Sequence, residues 1–469
     1  MKTSNIYISP LYFILGILTF LSACIKTPEF TQNSQLQFST DSILFDTIFT
    51  RQTQTGNYPI SVTKLLSVKN SSDFWVKADF KIAGGASSPY SINIDGIAGN
   101  EISQLEIAPK DSVFVFVQCK LEANNETQPL LVLDSLYAQV GNQSSKLILA
   151  AYGWDAHYVR DTILPNNTVW SDKTKPYVII DGAFVAPNSK FTIEKGVQIF
   201  ASARTGIYVF GRLEMNGTAE ERISIRGDKP IEATKTYPNQ WYGMYFAPGG
   251  TANIAYSDIT NAIVGLRTDS QALGNDPCVV LKNTRIQYCG QACLIGVSGA
   301  IKAENCLFAD AGSYSFLGYF GGSYQFNHCT FTDYSFFTNR NGGHFGLTNT
   351  LRDGNGFLIA TLPLDIQIQN SIIWGYKREE IAIDRSESSP FDLNNTRYNL
   401  LKTQDELEFF NGNQNILNRD PEFVSTANGD YHLGPTSGAI DQIPLLSLPI
   451  DLEGNIRKTP TDIGAYEHQ

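Results

Sequence analysis

A chain of 469 residues, 42% hydrophobic and 17% charged, has material for two or three buried cores, which excludes a disordered polypeptide. Its net charge of −11, with no run of Lys and Arg, excludes a nucleic-acid-binding surface, because phosphate recognition needs clustered cations. Cys289 and Cys293 lack the second ligand pair that a zinc site requires, and the five histidines are scattered.

In chain order, residues 1–23 carry Lys2, an apolar run from Leu11 to Phe20, and Leu21-Ser22-Ala23 ahead of Cys24. The run is too short to span a bilayer and reads as a secretory signal peptide. Residues 21–24 resemble a bacterial lipobox, which implies cleavage before Cys24, lipidation of that residue and a tether over residues 24–35. Acyl chains contribute ~0.8 kcal/mol per buried CH₂, so the lipid would anchor the mature chain without a crossing helix. The alternative is an ordinary signal peptide with an incidental Cys. Ile25-Lys26 supplies no Asp after Cys24, which favours outer-membrane over inner-membrane residence; periplasmic and surface orientations both stay open.

Residues 36–160 hold seven or eight short apolar segments, among them Lys64 to Val68, Trp75 to Ile82, Tyr90 to Ile94, Val113 to Cys119, Leu130 to Leu136 and Leu147 to Tyr152. Turn signals such as Asn70-Ser71-Ser72, Gly84-Gly85 and Pro109-Lys110-Asp111 separate them, so the region predicts an immunoglobulin-like β-sandwich. Leu44–Thr50, Ala83–Tyr90, Asn93–Gly96, Lys110–Ser112 and Gly153–His157 together resemble the N-terminal sandwich of exported lipoproteins from diderm bacteria that carry right-handed β-helix repeats. That resemblance supplies no catalytic residue.

Residues 161–375 predict a right-handed parallel β-helix. A polar residue followed three places later by a hydrophobic one recurs at Tyr256/Ile259, Asn283/Ile286, Asn305/Phe308, His328/Phe331 and Asn370/Ile373. The hydrophobic members are 27, 22, 23 and 42 residues apart, the last read as two periods, which fits coils of ~20–25 residues. Stacked coils would put Ile286, Phe308, Phe331 and Ile373 inward, and Asn283, Asn305 and Asn370 at bends, where Asn tolerates left-handed backbone. Period-two segments such as Ile366–Gln369 argue against a helical solenoid. Tyr177–Gly182, Phe191–Phe200 and Ile207–Thr218 look like opening rungs of right-handed β-helix proteins. The span to Trp374 has room for about nine rungs, with a loop near residues 345–360. The six cysteines after Cys24 read as buried thiols, with Cys278, Cys289 and Cys293 the group that could include a bridge.

Residues 376–469 lose the period. Asp420–Phe423, Gly429–Leu433, Ser437–Asp441, Asp451–Arg457 and Asp462–Glu467 resemble the terminal segment of the β-helix proteins called choice-of-anchor Q. An irregular cap over the open end of the stack is expected, because unpaired strand edges recruit other chains. Asp462 and Arg457 are a candidate ion pair within it.

Two aspartates carry the sharpest chemistry. Asp310 and Asp333 each follow their rung's inward residue by two places, so they predict stacked carboxylates that could act as catalytic acid and nucleophile on a sugar, or bind Ca²⁺. The structural alternative is that each accepts backbone amides in a turn. Arg340 and His344 lie within the next coil, and Tyr319 and Tyr334 belong to an aromatic-rich pair of rungs that either fills the core or stacks on sugar rings. These four are the candidate substrate-binding residues. No cofactor is required beyond a Ca²⁺ option. Two function classes follow: a lipid-anchored cell-envelope binding or structural protein presenting its β-helix to a polysaccharide or an envelope protein, and a polysaccharide lyase or glycoside hydrolase built on Asp310 and Asp333.

Overall fold

Val76, Ala78, Phe80 and Ile82 point inward while Lys77, Asp79 and Lys81 between them face out, the period-two signature of a strand with one solvated face. Ten such strands form two five-stranded sheets. One runs in the order Leu36–Phe38, Lys64–Asn70, Ser112–Cys119, Tyr90–Ile94, Ile97–Gly99. The other runs Ser42–Phe49, Gln143–Trp154, Leu130–Val140, Val76–Ile82, Glu101–Ile107. Their inner faces share one apolar core around Phe45, Phe80, Tyr90 and Leu147, so the unit is a β-sandwich. The strands beyond the seven or eight expected include Glu101–Ile107, whose outward Glu101, Gln104 and Glu106 hide it from a search for apolar runs. Ile97–Gly99 follows the Asp95-Gly96 turn, where both residues take positive φ and close a two-residue hairpin.

The computed structural model describes residues 28–50, 63–122, 130–229, 234–272, 276–335, 340–405 and 407–469. The leader, Cys24, Phe336 and Phe337 lie outside them. The described chain divides into two compact units, the sandwich to residue 153 and a second unit over residues 154–469. No helix among the described residues is long and apolar enough to cross a membrane.

The second unit is a parallel β-helix with three strands per coil. Leu307–Ala311, Tyr314–Tyr319 and Gly322–Asn327 make one coil and define faces A, B and C. Faces A and B belong to an 18-stranded sheet, joined through the long strand Tyr177–Val185, which pairs with strands of both; face C is a nine-stranded sheet. Like stacks on like: Ile259, Ile286, Phe308, Phe331, Ile373 and Leu401 are successive register partners, each fully buried. The Phe308 and Phe331 rings lie parallel with centroids 5.0 Å apart, close to the strand spacing. Phe316, Tyr324, Phe326 and Phe345 pack around them, so most of the aromatic-rich pair of rungs fills the interior.

From Tyr256 onward each coil turns from face C to face A through one left-handed residue. Tyr256, Asn283, Asn305, His328, Asn370 and Tyr398 all have φ between 45° and 56°. That conformation costs an ordinary L-residue about 1–2 kcal/mol, and Asn tolerates it best. The 42-residue step from Phe331 to Ile373 is one coil rather than two, since the residues are direct partners. An antiparallel hairpin, Thr350–Arg352 with Leu358–Thr361, swells that coil on its way from face B to face C. Eight face-A strands therefore stack from Tyr177 to Trp374, not nine. All six described cysteines are buried and unbridged.

The irregular C-terminal region does two jobs. A short helix, Leu407–Phe410, puts Phe410 into the core, and Ile416–Leu417 pairs with Leu400–Leu401, the last rung. Residues 420–469 then run back over face A, covering the flank of the stack where an end cap was expected. The cause is visible in the strands they cover. Leu307–Ala311, Thr330–Asp333 and Ile372–Gly375 are buried on both sides, with outward Leu307, Ala309, Ile372 and Leu400 packed against Tyr431, Leu433, Ile443, Leu452 and Ile463. A strand apolar on both faces needs a second layer.

Phe331 lies in the middle of the ladder and touches the rings of Phe308, Phe316, Phe326 and Phe345. Phe331→Ala should lower unfolding free energy by about 3–5 kcal/mol, measured by denaturant titration; an unchanged midpoint would contradict the stacked core.

Candidate functional site

The strap of residues 420–469 is held by the corner ladder. Asn283 Nδ2 donates to the carbonyl of Asp451, Asn305 Nδ2 to that of Ile450, and Asn370 Nδ2 to Ser447 Oγ, where His328 Nε2 also meets it at 2.9 Å. The same residues that bend the coil therefore bind the strap. The bend was legible in the Asn repeat; the second role was not, because nothing local says that an Asn amide at a bend meets a chain more than 75 residues later. Arg457, 3% exposed, pairs with Glu467 at 3.2 Å and donates to Asn305 Oδ1. Its expected partner Asp462 instead accepts the backbone amides of Asp441 and His468.

Asp310 and Asp333 do come together, at the corner where face A turns into face B, because Ala309 and Thr332 before them are register partners. Neither faces a groove. Asp310 is 7% exposed; its Oδ1 accepts the Tyr431 hydroxyl of the strap at 2.5 Å and the Tyr334 amide at 3.4 Å. Its Oδ2 is buried beside the Gln287 side-chain amide. Burial pushes the Asp310 carboxyl up to about 7, with the Asp333 carboxylate adding to the rise and the Tyr431 phenol, the Tyr334 backbone amide and the Gln287 amide opposing it.

Asp333 is 1% exposed and works as a turn and ion-pair residue: Oδ1 accepts the Ser335 amide at 3.0 Å and Oδ2 the Arg340 Nε at 2.5 Å. Burial raises its pKa against the pull of Arg340. Arg340 bridges Asp333 to Glu380, Nη1 to Oε2 at 2.7 Å and Nη2 to Oε1 at 3.0 Å, and lies over the Tyr376 ring. A guanidinium fork suits two carboxylates at once, and a buried charge survives only when so paired.

The expected substrate-binding set is dispersed. Arg340 and His344 are interior, not exposed. His344 Nε2 donates to the Trp374 carbonyl at 3.1 Å, which leaves Nδ1 to accept the Ser315 hydroxyl; burial, then the charge of Arg340, lowers its pKa and keeps the ring neutral. Tyr334 is partly covered by the strap, stacked against Tyr431. Tyr319 and Tyr334 both keep part of their surface, but Tyr319 stands at the end of a face-B strand and so one corner away from the aspartates. Among the described residues no group of three or more His, Cys, Asp or Glu could hold a metal, so the Ca²⁺ option at Asp310 and Asp333 gains no further ligand. What the arrangement does chemically is lock the strap over face A through a phenol–carboxyl contact beside a closed ion cluster.

The folded chain holds the Asp310 proton more tightly than an unfolded chain, whose aspartates titrate near about 3.9. Stability should therefore fall as pH rises from about 4 to about 7 and level off above, with a contribution on the order of 2–4 kcal/mol. Asp310→Asn should remove this component and be the more stable form at pH 8, as seen in denaturant midpoints across pH; parallel profiles for the two proteins would refute it.

No protein-family description and no curated protein matches the sequence. Solved structures with local similarity include the ASH/PapD-like domain of human CEP192, at 9% identity, TM-score 0.19, and coverage of 34% of this chain and 99% of that one. The E. coli chaperone DraB follows at 8% identity, TM-score 0.18, and coverage of 26% and 55%. A family 123 glycoside hydrolase from Clostridium perfringens has 8% identity, TM-score 0.18, and coverage of 26% of each chain.

Proposed function

We propose that this chain is a lipid-anchored, non-enzymatic cell-envelope protein that presents its β-helix to a glycan. The sandwich resembles that of exported lipoproteins and serves as a spacer; Cys24 carries the lipid, and the outer membrane is the place of residence. The choice-of-anchor Q resemblance of residues 420–467 fits a segment whose task is architectural, since its Ile450 and Asp451 carbonyls and its Ser447 hydroxyl are spent on Asn305, Asn283, His328 and Asn370. One observation carries the reading against a lyase or hydrolase built on Asp310 and Asp333: that pair is sealed beneath Tyr431 and tied to Arg340. Acid–base catalysis needs both groups within hydrogen-bond reach of substrate, and here the strap would have to leave first.

A glycan array probed with the mature chain, with and without Ca²⁺, should give binding that does not depend on the ion, and an absorbance assay should detect no unsaturated sugar product. Product formation abolished by Asp333→Asn would establish the enzyme instead. In detergent phase separation, the wild-type protein expressed in a diderm host should enter the detergent phase and Cys24→Ser should stay in the aqueous one.

A further inference from the structure

Three consecutive rungs repeat a glycine, one inward residue and an aromatic: Gly182-Ala183-Phe184, Gly206-Ile207-Tyr208 and Gly243-Met244-Tyr245. Register places them above one another on face B, with Phe184 opposite Tyr208 and Tyr208 opposite Tyr245. Strand alternation turns Ala183, Ile207 and Met244 into the core and the aromatic residues outward. The glycines give the rings their seat. A Cβ on Gly182 would stand 2.8 Å from the Phe184 ring, and one on Gly206 2.8 Å from the Tyr208 ring, so both rings lean along the strand over a backbone without a side chain. Phe184 and Tyr208 then stack at 5.0 Å with an 11° interplanar angle.

The strip stays open where the strap does not reach. Phe184, Tyr208 and Tyr245 are partly exposed, and Tyr242 on the third rung is 45% exposed. Tyr242 approaches Tyr208 closely enough to add, after burial, to the rise in the Tyr208 pKa. Two of the guanidinium groups at its borders are matched, while Arg204, two residues before Gly206, is exposed without an ion-pair partner among the described residues. Arg160 pairs with Asp181 at 2.7 Å, and Arg267, the next face-B register partner after Tyr245, closes its fork on both oxygens of Asp269, whose Oδ2 also accepts the Tyr245 hydroxyl.

We infer that this face-B strip is the binding site for a linear, uncharged polysaccharide lying along the β-helix axis. The inference deepens the glycan reading above and rests on it. Phe184 and Tyr208 turn one face to each other, so the C–H face of a pyranose stacks on the ring surface this pair leaves open and on the exposed Tyr242, and the flanking phenols and the Arg267–Asp269 pair offer donors and acceptors to hydroxyls. Charge selects the class: a polyuronate carries a carboxylate on every residue, and of the bordering guanidinium groups Arg160 and Arg267 are closed on carboxylates, which leaves it Arg204, while a neutral chain has nothing to neutralise. Periodicity selects an extended polymer, because the aromatic positions recur at the strand spacing of about 4.8 Å, near the advance of one hexose in an extended chain.

Native gels cast with hydroxyethyl cellulose, galactomannan or polygalacturonate test this on the mature chain. A neutral polymer should retard the wild-type protein and polygalacturonate should not. Tyr208→Ala and Tyr242→Ala should each weaken binding roughly tenfold. Gly206→Ala, which keeps every aromatic side chain but displaces the Tyr208 ring from its seat, should weaken it too. Tyr242 is the most exposed of the set, so its variant remains informative if the others lose stability, which thermal midpoints report. Retardation by a neutral polymer that Tyr242→Ala and Tyr208→Ala leave unchanged overturns the site while the glycan reading stands. Retardation by polygalacturonate alone overturns the neutral class. If no glycan binds the wild-type chain in gels or on the array, site and reading fall together.

Discussion

Register between successive coils is the constraint on which the second unit depends. A single coil cannot bury its apolar residues or satisfy the strand edges it exposes; stacked coils do both, provided the same position in each coil points the same way. Ile259 through Leu401 meet that condition over six rungs, and the left-handed residue at each C-to-A corner keeps it. The corner residue's own amide continues the parallel ladder, as Asn305 N bonds the Asn327 carbonyl. A one-residue slip would turn Phe308 and Phe331 outward and carry their neighbours inward. The chain tolerates a 42-residue coil because the inserted hairpin leaves the stack between two corners and returns to the same register.

The three faces of this prism have different fates. From Leu307 to Gly375 the strands of face A are buried on both sides and covered by the strap, which turns the corner side chains into hydrogen-bond partners and buries the charge that lies beneath. Asp310 and Asp333 are captured by that covering. A carboxylate two places beyond an inward residue is a plausible catalytic group on an open β-helix; under a second layer it becomes a proton-holding contact and half of an ion cluster. Face B carries its aromatic strip in the open, bordered by the Arg160–Asp181 and Arg267–Asp269 pairs and by the exposed Arg204. Face C is a polar ladder in which Glu214 pairs with Arg212 and Asn253, and Glu304 with Lys282 and Lys302.

Much of the architecture was legible in the order of residues. The period, the inward positions and the bend role of Asn283, Asn305 and Asn370 were read from spacing alone, because each is a local rule repeated at intervals of one coil. Two misreadings have local causes as well. The doubled interval after Phe331 carries no mark to tell one enlarged coil from two ordinary ones, and Glu101–Ile107 alternates charged with apolar residues where a search for apolar runs passes over it. The Gly-x-aromatic repeat was present as a signal too, yet its meaning lies in ring orientation over a missing Cβ.

The amino-acid order by itself settled the all-β class, the sandwich followed by the β-helix, and that Asn283, Asn305 and Asn370 turn their coils, since these follow from side-chain alternation and backbone preference within one or two coils. Only the tertiary structure decided that residues 420–469 fold back over face A, that Tyr431 meets Asp310 across 121 positions, and that Arg340 and His344 are interior. The reason is one of range. A stack built from nearest-neighbour contacts announces itself in the repeat, whereas a strap that docks across several rungs is specified by the summed fit of scattered apolar and amide groups, none of which is distinctive alone.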